Sequence, residues 1–116
     1  MTGLPRFAYT DELPWQELRV GVSRQVLGYD AELMMVRVRF EPGSVGAMHH
    51  HPHRQATYVA SGSFRVEMDG RVRVLQAGDA FFAPPDVPHG VVALEAGVLV
   101  DVFTPAREDF LNRDGR

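Results

Sequence analysis

Cysteine is absent from the 116-residue chain, and so is lysine. Without cysteine there is no disulfide framework and no thiolate zinc site, so a metal could be held only by His, Asp, Glu or neutral oxygen donors. Without lysine all 12 basic side chains are Arg, and Schiff-base chemistry on a lysine is excluded. No apolar run reaches the roughly 18 residues that a membrane helix needs. Met1 to Thr10 lacks the basic-then-apolar pattern of a signal peptide. The expectation is a cytoplasmic protein with no membrane partner. The charged share, 23%, is ordinary, and what is small is the net charge, −3 from 12 basic and 15 acidic residues. Nothing in that balance provides a footprint for nucleic acid. The length fits one domain with an ordinary core.

What the chain does have is punctuation. Eleven Gly and eight Pro separate short stretches rich in Val and Phe. Met34 to Phe40 alternates cleanly, with Val36, Val38 and Phe40 on one side and Arg37 and Arg39 on the other, which predicts a strand. Arg19 to Leu27, Ala56 to Ser61, Ser63 to Met68, Val72 to Gln76, Ala80 to Ala83, Val91 to Leu94 and Val98 to Phe103 read the same way. Many short strands with turns between them predict an all-β sandwich or barrel. At Asp69-Gly70 a two-residue loop would set Val66 against Arg73. A shift by one sets Val66 against Val74 and Glu67 against Arg73, keeping one face apolar, so a longer loop or a bulge is expected. Helix has little room: a turn or two within Asp11 to Leu18 around Trp15, and a short one within Ala106 to Leu111. Phe40, Phe64, Phe81, Phe82, Tyr58 and Trp15 read as core or interface.

Four of the five histidines fall between positions 49 and 53, mid-chain, where an expression tag is not expected. His49 and His51 are two apart, and on a strand alternate side chains share a face at roughly 6.5 to 7 Å, close enough for both imidazoles to reach one ion. Gln55 follows beyond Pro52, and His89 ends a Pro-rich turn far along the chain. His50 and His53 read as exposed or as neighbours of the site. A lone His in a small domain is more often a surface residue than a ligand, so the pattern has to carry the argument.

Gly43, five residues, His49-x-His51, three residues, Gln55, six residues, Gly62 resembles the first motif of the cupin superfamily. Gly78, five residues, Pro84, then His89 resembles the second, with 15 residues between the two. In this chain Gln55 stands where many cupins have Glu, Asp86 where Gly is common and Ala93 at the usual Asn. The resemblance implies an all-β double-stranded β-helix, or jelly-roll barrel, as one domain over 1–116. Its barrel core would span about 33–103, with an N-terminal arm over 1–16 and a C-terminal tail over 104–116. His49-x-His-Pro-His-x-Gln-x-x-Tyr-Val-x-x-x-Gly62 and the tail from Asp101 to Phe110 are similar to the small pectin-degradation (KdgF-like) family, except that Arg54 replaces the acidic residue often found beside the Gln. That resemblance implies a metal on His49, His51, Gln55 and His89, with Asp101, Phe103 and Arg107 lining the active site. The implied activity converts 4,5-unsaturated monouronates from pectin or alginate into linear, ketonised 4-deoxy sugar acids.

Elementary chemistry makes that ligand set workable. Three neutral imidazoles and an amide leave the full charge on one divalent transition ion (Ni, Zn, Fe, Mn, Co or Cu), which would polarise an anionic, oxygen-rich sugar. Leu99, Asp101 and Phe103 share a face of their strand. If that face is inward, Asp101 is a carboxylate in a dry cavity, suited to moving a proton. If outward, it is a solvated charge. Arg107 becomes a candidate clamp for the substrate carboxylate. Two rival functions use the same residues: an iron-dependent cupin dioxygenase, and a non-catalytic metal- or sugar-binding module. By fold analogy a homodimer is expected, because an open sandwich has edges to cover.

Overall fold

Residues 34–40 alternate in sequence, and the folded chain buries every second one: Met34, Val36, Val38 and Phe40 are at most 8% exposed. The same logic recurs along the chain in this computed structural model, which describes residues 6–111. The first five residues of the expected arm and the last five of the expected tail lie outside the described residues. After a 3₁₀ turn at Thr10–Glu12, ten strands follow: β1 (Gln16–Arg19), β2 (Val22–Tyr29), β3 (Met34–Phe40), β4 (Val45–His49), β5 (Arg54–Ser61), β6 (Ser63–Met68), β7 (Arg71–Gln76), β8 (Ala80–Ala83), β9 (His89–Ala93) and β10 (Gly97–Thr104). A short helix, α1 (Glu108–Leu111), comes last.

The strands form two antiparallel sheets, one ordered β1-β2-β3-β10-β5-β8 and the other β4-β9-β6-β7. Their inner faces meet around Phe64, which is fully buried and lies edge-on to Phe40 at 5.2 Å, with Val59, Val66, Leu99 and Phe103 about them. This is the expected jelly roll. Outside the larger sheet, the Gln25 amide donates to the carbonyls of Thr10 and Leu13 and ties that segment down. Trp15 lies beneath Arg39 and Arg37.

Several expectations are corrected. Arg19 to Leu27 is two strands, because the chain reverses at Val20-Gly21, where Val20 is 88% exposed and Gly21 has φ +86°. Val20 is a turn residue that only resembled part of an alternating run. Asp11 to Leu18 gives one 3₁₀ turn followed by β1 rather than more helix. The hairpin at Asp69-Gly70 keeps the two-residue loop, pairing Val66 with Arg73 and Met68 with Arg71. Both loop residues have positive φ (53° and 78°), as a tight hairpin turn with the sheet's own twist requires. The apolar-face argument fails here because β7 is an edge strand with Val72 and Val74 roughly half exposed, so burial does not choose its register. Tyr58 and Phe82 are about half exposed, not core.

Candidate metal centre

The polar groups of the site arrive on four separate pieces of chain. His49 ends β4, His51 lies in the bend after it, Gln55 is near the start of β5, and His89 begins β9. His51 is therefore outside any strand, and the expected strand spacing does not bring it to His49. The bend does. His49 and His89 are direct register partners across β4 and β9, so their side chains share a face. The ring centroids are 4.5 Å apart for His49 and His89, 5.1 Å for His51 and His89, and 5.3 Å for His49 and His51. One ring nitrogen of each lies within 4.8 Å of the others. The Asp86 N–H donates to the His51 carbonyl at 2.7 Å and joins the two motifs. Asp86 sits at φ 63°, the conformation that makes Gly common at such a position and that Asp tolerates.

Hydrogen bonding fixes which face of each imidazole is available. Nδ1 of His49 faces the carbonyl of Ala47 at 2.9 Å, Nδ1 of His51 that of His53 at 3.1 Å, and Nδ1 of His89 that of Val87 at 2.9 Å. A carbonyl only accepts, so each Nδ1 carries the proton and each Nε2 keeps a lone pair. Burial holds His89 down to about 4 and lowers His51 as well, with the Arg107 guanidinium adding to the effect. Burial thus favours the neutral form of both rings.

Gln55 completes the set. Its Nε2 donates to Thr57 Oγ1 at 2.9 Å and, more weakly, to Asp101 Oδ1 at 3.4 Å. That turns Oε1 toward the histidines, 3.0 Å from His51 Nε2 and 3.1 Å from His89 Nε2. Lone pairs then face lone pairs with no proton between them, which is repulsive unless a cation sits among them. Two donors each about 2.1 Å from an ion and at right angles to it are about 3 Å apart, which matches both spacings. The donor set fits a divalent transition ion.

Beside this cluster is a cavity of about 310 Å³ whose lining includes His49, Gln55, Asp101, Phe103 and Arg107. Asp101 faces inward. It is the register partner of Thr57, whose hydroxyl donates to Oδ1 at 2.6 Å. Burial raises the carboxyl to about 6, against the opposing pull of Thr57 and Arg107. Phe103 is buried, its ring 5.8 Å from that of His51. Arg107 stacks over Phe103 and Phe110. Its Nε and Nη2 are held by both oxygens of Asp109, at 3.1 and 2.9 Å. All seven residues singled out in sequence are thus brought to one region. His50 is exposed and 3.7 Å from Asp86, while His53 is half-buried and contributes its carbonyl to His51. Sequence reasoning passed over Thr57, Arg24 and Phe110. The first two carry a signal: Gln55-x-Thr57-x-Val59 and Val22-x-Arg24-x-Val26 place polar side chains on otherwise apolar faces.

Residues 36–103 match the cupin domain family. The chain is 47% identical over 108 residues to the pectin degradation protein KdgF of Dickeya dadantii (strain 3937), covering 91% of this chain and 98% of that one. Among solved structures it is similar to KdgF from Halomonas sp., with 41% identity, a TM-score of 0.89, and coverage of 91% and 98% of the two chains. It is equally similar to an RmlC-like cupin from Shewanella frigidimarina NCIMB 400, with 44% identity, a TM-score of 0.89, and coverage of 91% and 96%.

Proposed function

This chain belongs to the cupin family, and from that premise we propose that it is a metal-dependent enzyme of pectin or alginate breakdown that opens 4,5-unsaturated monouronates to linear, ketonised 4-deoxy sugar acids. The observation that carries the reading is the meeting of lone pairs from His51, His89 and Gln55 beside an inward carboxyl raised to about 6. The likeness to the pectin degradation protein of Dickeya dadantii supplies the substrate class.

His49, His51, Gln55 and His89 would hold one divalent transition ion, which supplies Lewis-acid polarisation of a bound sugar oxygen. The chain's own groups do the rest. Arg107 takes the substrate carboxylate through the N–H groups that Asp109 leaves available, and Phe103 forms a wall. The reaction is an isomerisation. A proton leaves the anomeric hydroxyl, the ring C–O bond breaks, and the released enol becomes a ketone when a proton reaches the adjacent carbon. No oxidant is consumed. Asp101 is suited to accept one proton and return another, because a carboxyl titrating close to neutrality serves in both directions. The Thr57 hydroxyl fixes which oxygen of Asp101 is free. A cytoplasmic location and a homodimer remain part of this proposal.

The test combines elemental analysis of untagged protein with an ultraviolet assay on an unsaturated monouronate. Stoichiometric transition metal and decay of the conjugated enol absorbance are expected. Metal-loaded protein that leaves the chromophore intact would refute the activity. Iron with oxygen uptake on a diketone would replace it with the dioxygenase reading.

A further inference from the structure

Arg24 occupies a position where the sheet asks for an apolar residue. It lies on β2 between Val22 and Val26, paired with the buried Val38, and is only 5% exposed. Withdrawing a guanidinium from water is costly unless polar or π partners receive it. Here Nε donates to the Gln16 side chain at 3.3 Å, and the guanidinium carbon lies 3.6 Å over the Phe110 ring. The same ring carries Arg107 at 4.3 Å. One aromatic side chain on α1 thus braces two cations, and both line the cavity that holds His49, Gln55 and Asp101.

The charge balance of that cavity runs against the rest of the molecule. The chain is net negative, yet the charged residues lining the cavity are Arg19, Arg24, Arg107 and a single acid, Asp101. A positive, concave surface of this kind focuses its field on an anion. We propose that Arg24 is a second ligand-binding residue of the cavity. With Arg107 on the shared Phe110 ring, it forms a two-guanidinium clamp that selects sugar acids over neutral sugars. The proposal rests on the uronate reading above and deepens it. Two guanidinium groups can engage a carboxylate and a neighbouring ring oxygen together, whereas a single arginine leaves the sugar free to pivot.

The test is calorimetric binding to the metal-loaded protein, with D-galacturonate as an unreactive acid probe and its methyl ester as the neutral control. Wild type should prefer the acid. Arg24→Gln should weaken galacturonate binding by roughly 10- to 100-fold, the scale of a charge-assisted hydrogen bond, and leave the ester nearly unchanged. Equal galacturonate binding by Arg24→Gln and wild type overturns the clamp, and so does a parallel loss of both probes, which would mean a structural role. If Arg24→Gln does not fold, Arg24→Lys gives the same comparison: it keeps the charge and loses the fork. Selective weakening of the acid supports the proposal, and unchanged binding overturns it. Failure of wild type itself to bind galacturonate refutes the uronate reading along with the clamp, so the two failures are distinguishable.

Discussion

Replacing Asp101 with Asn should make the metal-free protein more stable at neutral pH while removing most of its activity. Burial raises the Asp101 carboxyl from 3.8 to about 6, so between those values the folded chain holds a proton that the unfolded chain has released. Stability contributed by this group is full below about pH 4 and is lost as pH climbs through 6. About two units at 1.36 kcal/mol each give about 3 kcal/mol. Asn forgoes that loss, offset by about 1 kcal/mol for a weaker acceptor of the Thr57 hydroxyl. The wild-type curve alone would conceal the effect. His89 is lowered from 6.5 to about 4, so its contribution rises with pH over nearly the same window and opposes that of Asp101. The difference between variant and wild type isolates Asp101. Urea denaturation of both metal-free proteins from pH 3.5 to 7.5 should give curves that separate progressively between pH 4 and 6 and then run parallel. Turnover by the metal-loaded variant should fall by about 100-fold or more, the scale of a lost acid–base group. A pH-independent gap between the curves would refute the reasoning.

Three further outcomes follow from named contacts. His89→Ala removes the only ligand drawn from the second motif, so metal content after dialysis should drop sharply by elemental analysis while the fold persists by circular dichroism; full retention of metal would remove His89 from the site. Gln55→Glu places a second carboxylate about where the amide stands 3.4 Å from Asp101, a repulsion of about 5 kcal/mol at an effective dielectric near 20. The metal-free variant should therefore bind one extra proton at neutral pH, while the loaded variant should hold its ion more tightly in a chelator competition. Gly70→Ala meets no neighbour within 4 Å but must adopt φ 78°, so it should cost about 1 to 2 kcal/mol of stability by backbone strain alone, measured by urea midpoint; no change would argue against the tight turn.

Three of the four proposed donors were legible because their spacing is local. His49, His51 and Gln55 lie within seven positions, and a short bend can gather them whichever strands they later join. Met34 to Phe40 was legible because one face is fully buried, so its alternation is enforced. The 63–76 hairpin was misread for the opposite reason: an exposed edge strand leaves its register to the turn, and turn geometry outweighed apolar pairing.

What the sequence by itself determined is the all-β architecture and the local grouping of His49, His51 and Gln55, since periodicity and short spacing survive any arrangement of the strands, whereas His89 joins them only through the pairing of β4 with β9. Only the tertiary structure decided that Asp101 faces inward, that Thr57 and Gln55 hold it from 44 and 46 positions away, and that Arg24 and Arg107 share the ring of Phe110. Those relations depend on which strands become neighbours. That choice is made by the packing of two whole sheets around Phe64, and no short segment carries it.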